Sequence, residues 1–440
     1  MKRSLLAVFA ASFLLLPSLA SADTYVYITN STAETVQVEV NHTGTKNTLV
    51  EGKEWQQTAT EIAPYATEKV LAFNRYWGLK TGSQYEFNTK ITAGDTELTA
   101  QQKMQGTWLG SNLQHSAKGD DFNTDWAADR AIHRTPTNFQ QKPSTVAYKA
   151  SFTGGYDDLY YTISNNTQAE PLADSSSLKV LAYNVFALPV IASDIGVRLA
   201  EMPEYLKGYD AILLQELFSS DSPKFLRQLS EEYPYQTKIL KNESGINIHN
   251  GGVAIVSRYP IAQTGYVVYP NCTGSDCFAD KGFVYAEIIK DNQAYHLVST
   301  HTASFDTNAA RNLRQEQFQM MSDYIANKEI SAIDAVLYGG DMNLNRLKFA
   351  DDYAGMTEKL NATVPVTTGY TESTFDPRTN HYAAVYDTVE FLDYVMWSNA
   401  HRQPVESLND VRVPRSTSDN LWGKWDLSDH YPVMGEFVFE

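Results

Sequence analysis

The first part of the chain alternates apolar and polar residues over short segments that turn-forming residues separate. These segments include "TYVYITN", "TVQVEVNHTG", "STVAYKASF" and "DLYYTIS". A period of two is typical of strands that bury one face of a sheet. The pattern therefore predicts a smaller all-β, sandwich-like domain over residues 23–165.

From residue 178 onward the apolar runs are short and continuous, and longer polar stretches separate them. The runs are "KVLAYNV", "YDAILLQEL", "NGGVAIVS", "AYHLVSTH", "AVLYGGDMN", "FLDYVMW" and "HYPVMGEFVF". Such runs are typical of strands buried on both faces. Between two of them, a periodic stretch places Phe318, Met321 and Ile325 on one helical face, as in a helix packed on a sheet. We predict an α/β sandwich over 178–440, joined to the first domain by a polar linker at 166–177.

The start of the chain has the features of a secretory signal peptide. Lys2 and Arg3 precede an apolar run and the small residues Ala20-Ser21-Ala22. The run is shorter than the roughly 20 residues that span a bilayer. We therefore expect residues 1–22 to be removed and the protein to be secreted, either to the extracellular space or to the periplasm.

Cysteine usage and charge narrow the chemistry. Cys272 and Cys277, the two cysteines of the chain, enclose four residues, which in an oxidising compartment favours a small disulfide loop over a zinc site. The formal net charge is −17, and the sequence contains no run of basic residues. Since extended nucleic-acid binding needs lysines and arginines that neutralise phosphates, we expect no nucleic-acid partner.

Polar residues recur where the predicted strands of the second domain end. They are Asn184, Glu216, His301, Asp341 and Asn343. In layered α/β folds the strand ends converge on one edge, and that edge commonly carries the site. Each residue alone is more often structural than functional, but their recurrence at several strand ends indicates a site.

The residue types in this set suit phosphoester hydrolysis. Glu216 and Asn184 offer hard oxygen ligands for Mg²⁺, and the same ligands accept Mn²⁺ or Co²⁺. Near the end of the chain, "SDHYPVMGEF" adds an adjacent acid and imidazole, Asp429 and His430. With His301, two imidazoles are then present that exchange protons near neutral pH. A metal that neutralises charge and a histidine that activates water are sufficient for the reaction.

The second half of the chain also resembles a known family. The motifs "YNVFALP", "LLQELF", "NGGVAIVSRYPI", "KGFVYAEI", "STHTAS", "YGGDMNLNR", "FLDYVMW" and "SDHYPV" occur in the order seen in bacterial neutral sphingomyelinases. These enzymes belong to the DNase-I-like superfamily of metal-dependent phosphodiesterases. The resemblance covers residues 178–440 and implies a four-layered α/β sandwich.

The resemblance implies a ligand set for one central metal ion. Glu216 would bind the ion, and Asn184 would lie close to the ion and the phosphate. Some members of the family hold a second ion at the edge of the sheet, but the corresponding positions here are Ser220, His249 and Asn250. The resemblance therefore supplies no ligand set for a second ion and leaves that site open.

The resemblance also implies catalytic roles. His430 would be the general base that activates water, with Asp429 as its neighbour. His301 would assist the departing oxygen. Asp341 and Asn343 would orient the water and the phosphoryl oxygens.

Three aromatic residues resemble positions that contact lipid in the family. Trp422 and Trp425 precede the catalytic pair, where the family has a hairpin whose exposed aromatic side chains enter the membrane interface. Phe218 resembles an aromatic residue at the mouth of the site. For all three, packing in the core is an equally valid interpretation of the sequence. The family disulfide encloses a longer segment, so the resemblance assigns no role to Cys272 and Cys277.

Together, these features predict a secreted, Mg²⁺-dependent, monomeric enzyme that hydrolyses sphingomyelin at a membrane surface to ceramide and phosphocholine, an activity that would make it haemolytic. Two alternatives stay open. The same site would serve another phosphoester, a nucleic acid or an inositol phosphate, or the fold would be an inactive, membrane-binding toxin subunit. By analogy, the first domain would bind a surface or a lipid.

Overall fold

The structure is a computed structural model that describes residues 23–242 and 248–440. The predicted signal peptide lies outside the described residues. The chain divides into two compact units. Unit 1 contains residues 23–30, 34–63 and 67–163, and unit 2 contains residues 31–33, 64–66 and 164–440. Within the described ranges, no helix is both long enough and apolar enough to span a membrane.

Unit 1 is built from two β-sheets in which most neighbouring strands pair antiparallel. The strands are β1 (Asp23–Ser31), β2 (Val36–Gly44), β3 (Trp55–Gln57), β4 (Glu61–Ile62), β5 (Thr67–Asn74), β6 (Gln84–Ala93), β7 (Thr96–Thr107), β8 (Gly110–Gly119), β9 (His133–Phe139), β10 (Lys142–Phe152) and β11 (Asp157–Asn165). The strand orders are β3-β5-β1-β11-β10-β9 and β4-β2-β6-β7-β8. Phe73 of the first sheet stacks on Phe87 of the second with ring centroids 4.8 Å apart, so the two sheets share a core.

Unit 2 alternates strands with helices. Its strands are β12 (Ser177–Asn184), β13 (Ala211–Gln215), β14 (Tyr235–Gln236), β15 (Ala254–Ser257), β16 (Ile261–Val268), β17 (Gly282–Lys290), β18 (Gln293–His301), β19 (Ala335–Asp341), β20 (Ala362–Thr363), β21 (Val366–Gly369), β22 (Asp393–Ser398), β23 (Glu406–Val411) and β24 (Val433–Val438). Its helices are α1 (Ile195–Glu201), α2 (Ser222–Leu229), α3 (Asn308–Ala326) and α4 (Ala350–Lys359), and short 3₁₀ turns span Met202–Tyr205, Gly274–Phe278 and Asp419–Leu421. The two sheets have the orders β14-β15-β13-β12-β24-β23-β21 and β16-β17-β18-β19-β22-β20.

Alternating side chains of β13 show how the layers of unit 2 stack. Leu213 belongs to the same buried cluster as Leu337 of the other sheet. Ile212 and Leu214 point the opposite way, into a second cluster with residues of α1 and α2. On the far side, α3 buries the predicted face of Phe318, Met321 and Ile325. The order helix, sheet, sheet, helix confirms the predicted four-layered α/β sandwich.

The close approach of the two central sheets depends on a glycine. A Cβ atom added at Gly339 of β19 would lie 2.6 Å from Cδ1 of Leu213 and 3.1 Å from the carbonyl oxygen of Tyr394. No real Cβ sits that close to a neighbour, so either the sheets or the leucine must move. Because β19 ends at Asp341, this packing also sets the position of that carboxylate.

We expect Gly339→Ala to destabilise unit 2 by about 1–3 kcal/mol, because overpacking a dense core forces side chains off their preferred rotamers. Thermal unfolding of the full chain, followed by circular dichroism, measures the effect. Gly196→Ala is the control, since the nearest heavy atom to its added Cβ is at an ordinary 3.5 Å. Equal unfolding midpoints for the two variants would refute this view of the sheet packing.

Candidate active site

Strand pairing gathers the predicted polar residues at one edge of the sandwich. β12 and β13 run parallel with Asn184 opposite Gln215, and Glu216 follows directly. In the other sheet, β18 and β19 run parallel with His301 opposite Asp341. Parallel neighbours end at the same edge, so each pair of strands delivers its polar ends together. The amide of Asn184 then joins the sheets, because its Nδ2 donates to Oδ2 of Asp341 at 3.1 Å.

Glu216 adopts an unusual backbone conformation. Its φ angle is +61°, in the left-handed region that costs a residue with a Cβ atom. Its Oε2 is buried and has no hydrogen-bond partner among the described residues. Burial, reinforced by the nearby charge of Asp429, raises the pKa of Glu216 to about 7. A strained carboxylate with one buried, unpaired oxygen is typical of a functional position.

His430 is held by a carboxylate that the sequence analysis did not select. Its Nδ1 lies 2.8 Å from Oδ2 of Asp393, the first residue of β22, and its Nε2 lies 3.9 Å from Oδ2 of Asp341. Burial opposes a positive charge on the ring, but these carboxylates outweigh it and raise the pKa of His430 above its ordinary value. Asp393 therefore orients the imidazole, and Nε2 points towards Asp341.

Asp393 itself is buried, and burial raises its pKa to about 6 although His430 acts in the opposite direction. The only signal for it in the sequence was an acid inside the apolar run "FLDYVMW". Its importance follows from register, since β22 places it directly opposite Asp341. That pairing joins strands far apart in the chain, which no local pattern reports.

His301 lies on the other side of Asp341. Its Nε2 is 3.4 Å from Oδ2 of Asp341 and 3.1 Å from Nζ of Lys281. Burial lowers the pKa of His301 to about 3, and the Lys281 ammonium adds to this effect. Since the ammonium can only donate, Nε2 accepts and the ring proton is on Nδ1. That Nδ1 is buried without a partner in the part of the chain that the structure describes.

Asp341 and Asn343 form a tight turn after β19. The backbone N–H of Asn343 donates to Oδ1 of Asp341 at 2.8 Å, and Asn343 has a φ of +46°. Its Nδ2 donates to the carbonyl oxygen of Thr302 at 3.2 Å. Burial would raise the pKa of Asp341, but the positive charges nearby, chiefly that of His430, outweigh it, so the pKa is lowered. Asp341 is therefore the charged carboxylate at the centre of the site.

Asp429 is also buried at this edge. Its Oδ1 lies 3.3 Å from Oγ of Ser428, and that hydroxyl donates to the carbonyl oxygen of Asn184 at 2.6 Å. Burial raises the pKa of Asp429. The last loop is thus tied to the end of β12 next to Glu216, and His430 follows in the chain.

Lys281 connects the site to the disulfide loop, which sequence reasoning did not foresee. The predicted bond between Cys272 and Cys277 is present. Inside that loop, Asp276 is buried with Oδ1 3.1 Å from Nζ of Lys281. The same ammonium donates to the carbonyl oxygen of Thr302 at 2.9 Å. Lys281 is therefore held from two sides beside His301.

The three aromatic residues with a predicted lipid contact have different positions. Phe218 is partly buried, with its ring centroid 6.4 Å from that of His301, so it lies beside the site. Trp425 is only 7% exposed, and Trp422 is partly buried with its ring edge-to-face against Trp425 at 4.9 Å. The expectation of an exposed tryptophan pair is wrong for Trp425. The segment folds inward through the 3₁₀ turn Asp419–Leu421, because the buried cluster behind α1 takes up Leu421 and Leu427.

The donor set of this edge fits a divalent cation. Ligand atoms of Asp341, Asp393 and His430 lie within 4.8 Å of one another. Asp393 and His430 are already hydrogen-bonded to each other, whereas Oε2 of Glu216 is buried without a hydrogen-bond partner among the described residues. Carboxylate and amide oxygens are the ligands that Mg²⁺ prefers. Glu216, with Asn184 beside it, is thus the position best suited to an ion.

An α/β sandwich with acids, amides and imidazoles at its strand ends suits metal-assisted phosphoester hydrolysis. The chain belongs to the Endonuclease/Exonuclease/phosphatase family, whose sequence profile matches residues 181–430. It is 33% identical over 305 residues to Sphingomyelinase C from Bacillus cereus, covering 61% of this chain and 91% of that protein. It is 31% identical over 333 residues to Phospholipase C from Staphylococcus aureus, covering 69% and 98%.

Solved structures agree with this assignment. A crystal structure of a beta toxin mutant from Staphylococcus aureus with bound magnesium ions superposes with a TM-score of 0.55 at 30% identity, covering 60% of this chain and 99% of that one. The fold of unit 2 therefore matches that of a protein known to bind magnesium.

We expect the Glu216 carboxylate to destabilise the metal-free protein as the pH rises. Its folded pKa of about 7 exceeds the unfolded value, so the folded state binds the extra proton and stability is lost between about pH 4.5 and 7. In EDTA, Glu216→Gln removes this loss, on the order of 3 kcal/mol, and raises the melting temperature relative to the unsubstituted protein above pH 7. Melting curves from pH 5 to 8 measure the difference. The exposed control Glu358→Gln keeps the original pH dependence, and the same behaviour in Glu216→Gln would contradict the assignment.

We expect the opposite pH dependence for Asp276. Burial would raise its pKa, but Lys281 outweighs it, so the folded pKa is lowered. Its contribution to stability is thus complete above the unfolded pKa of about 4 and is lost as the pH falls through the folded value. Asp276→Asn breaks a buried pair and costs about 3 kcal/mol at pH 7, with a smaller difference below pH 4. The exposed control Asp351→Asn changes stability by less than about 0.5 kcal/mol. A deficit that does not depend on pH would show that the charge of Asp276 is unimportant.

Proposed function

We propose that this protein is a secreted, Mg²⁺-dependent phosphodiesterase that hydrolyses sphingomyelin to ceramide and phosphocholine. The observation that carries the proposal is the convergence of His430, Asp341 and Glu216 at one edge of the sandwich. The similarity to two proteins named for sphingomyelin and phospholipid cleavage supports the choice of substrate. The substrate would be met at a membrane surface.

Glu216 and Asn184 are the residues that we propose to hold the ion. When bound there, the ion would neutralise charge on the phosphoryl oxygens and offset the acids around His430. The buried, unpaired Oε2 of Glu216 supports this role. Its raised pKa also means that ion binding competes with a proton near neutral pH.

His430 is the proposed general base. Asp393 holds Nδ1, so Nε2 is the atom that would take a proton from water once the charge of the surrounding acids is offset and the ring is neutral. Asp341, 3.9 Å from that Nε2, accepts a hydrogen bond from the water and so turns its lone pair towards phosphorus. No covalent intermediate with the protein is needed, because water attacks the phosphodiester directly. Asp429 and Ser428 keep the backbone of His430 in place.

His301 is the proposed donor on the side of the departing oxygen. With Lys281 at Nε2, its proton is on the unpaired Nδ1, which is free to donate to an oxygen that gains negative charge. The very low pKa of His301 means that the ring acts as a neutral donor rather than as an acid. Asn343, at the turn after Asp341, would contact the phosphoryl oxygens, and Phe218 would border the lipid at the mouth of the site.

The test is phosphocholine release from sphingomyelin vesicles with Mg²⁺ and with EDTA. We expect activity only with the metal, and a loss of about 10³-fold or more in kcat for His430→Ala, because general base catalysis contributes about 10²–10⁴. His401→Ala is the matched control. His401 follows the end of β22 that is opposite to Asp393, and its Nδ1 forms a hydrogen bond with Oγ of Ser398. Lysis of erythrocytes should follow the same order.

Three results would contradict the proposal. The first is activity that survives chelation. The second is full activity in His430→Ala. The third is faster turnover of plasmid DNA or inositol phosphates than of sphingomyelin in the same buffer, which would support a different phosphoester substrate. No phosphocholine release at any Mg²⁺ concentration would favour an inactive, membrane-binding protein.

A further inference from the structure

Unit 1 places its exposed apolar side chains at one end. Among its described residues, the large hydrophobic side chains that are exposed are Val50, Tyr76, Trp77, Trp108, Leu109 and Phe152. Trp108 is 80% exposed, Trp77 68% and Leu109 67%. Isolated exposed apolar residues are ordinary, but a group of large aromatic residues on adjacent loops is a mark of an interaction surface.

These residues lie on four connections between strands that contact one another. They are the loops 45–54 and 75–83 and the turns 107–110 and 152–156. Nδ2 of Asn47 donates to the carbonyl oxygen of Gly78 at 3.2 Å, which joins the first two. Arg75 donates to the carbonyl oxygen of Ser111 at 2.9 Å, at the start of β8. The same guanidinium lies 4.4 Å from the ring centroid of Tyr156, which adds the fourth. We call this surface the aromatic tip.

The aromatic tip is held in an open conformation. Oδ1 of Asn74 accepts hydrogen bonds from the backbone N–H groups of Tyr76 at 2.9 Å and Trp77 at 2.7 Å. The rings of Tyr76 and Trp77 then meet edge-to-face at 5.9 Å. Trp108 and Leu109 occupy the two-residue turn between β7 and β8, where neither side chain folds back onto the sheets. Binding would therefore cost little additional ordering of the backbone.

The charge around the aromatic tip is basic, although the chain has a formal net charge of −17. Lys46, Lys53 and Lys80 are exposed on its loops. Glu51 is the exposed acid there. Glu54 is buried, with Oε1 3.4 Å from Nζ of Lys53 and Oε2 accepting a hydrogen bond from the backbone N–H of Val50 at 2.6 Å, so Lys46 and Lys80 carry the excess positive charge. Lysines around exposed tryptophan, tyrosine and leucine match a surface with phosphate groups outside and hydrocarbon beneath.

We propose that the aromatic tip docks the protein on a phospholipid bilayer, with Trp77, Trp108 and Leu109 inserted at the level of the headgroups. Exposed aromatic residues also stack on sugars, so a glycan is the alternative ligand. The preference for a bilayer rests in part on the proposed function. It rests also on Leu109 and the lysines, which a surface that stacks on sugars does not need. The docking is distinct from hydrolysis. In unit 2, Trp425 is buried, so that tryptophan does not supply this contact.

The experiment uses the full chain carrying His430→Ala and vesicles of phosphatidylcholine without sphingomyelin, so that binding is measured apart from turnover. We expect Trp77→Ala/Trp108→Ala to lower the vesicle partition coefficient by about tenfold or more, since affinity follows the buried apolar area. The control, Tyr266→Ala/Ile333→Ala, removes an exposed aromatic and an exposed aliphatic side chain from unit 2 and should leave the partition coefficient unchanged. Tryptophan fluorescence should shift to the blue on binding, and less so in the Trp77→Ala/Trp108→Ala variant.

A second measurement keeps failure of docking separate from failure of the proposed function. With His430 restored, Trp77→Ala/Trp108→Ala should hydrolyse sphingomyelin in detergent micelles at the original rate but slow down on vesicles. Vesicle binding without any hydrolysis would refute the proposed function and leave docking intact. Equal vesicle binding by the double variant and the original protein would overturn the docking proposal, as would binding to immobilised glycans but not to vesicles.

Discussion

Four carboxylates lie together at one buried edge of unit 2, and the repulsion among them is the constraint on which the site depends. Glu216, Asp341, Asp393 and Asp429 cannot all keep a full negative charge in a medium of low dielectric without compensation. His430 supplies part of the balance, yet Glu216, Asp393 and Asp429 still have raised pKa values. A divalent cation is the natural complement of such a set. The grouping of acids that suits catalysis therefore lowers the stability of the metal-free protein, as at many active sites.

The surrounding structure limits this repulsion by rigid anchoring. Arg198 of α1 is fully buried and donates to the carbonyl oxygens of Val185 at 3.0 Å and Leu427 at 2.8 Å, which ties the end of β12 to the last loop. On the other side of the site, Lys281 connects the disulfide loop, through Asp276, to His301. Both cations satisfy carbonyl groups that strand ends leave unpaired. The positions of the proposed catalytic groups thus follow from hydrogen bonds to the backbone as much as from the sheets.

The contrast between the two tryptophan sets suggests a division of tasks within the chain. In unit 2 the indole of Trp425 is buried, and the edge of the sandwich presents polar groups that suit phosphate and water. In unit 1, Trp77 and Trp108 contribute nothing to a core and remain exposed on braced loops. Exposed aromatic side chains lower the solubility of a protein, and the proposed docking surface explains why they are exposed here.

The sequence by itself determined several strands of each unit, among them β1, β2, β10 and β11 in unit 1 and β12, β13, β18, β19 and β24 in unit 2, together with the amphipathic face of α3, the short disulfide and the polar residues at the strand ends. Those features follow from hydrophobic period and residue spacing, which are local properties of a chain. Only the tertiary structure decided that Asp393 holds His430, that Lys281 and Asp276 support His301, and that Trp425 is buried. Each of these depends on residues brought together from distant parts of the chain by pairing between strands and by packing between sheets. A lysine after a loop or an acid in an apolar run has no distinctive local pattern, so its role appears only when its neighbours are known.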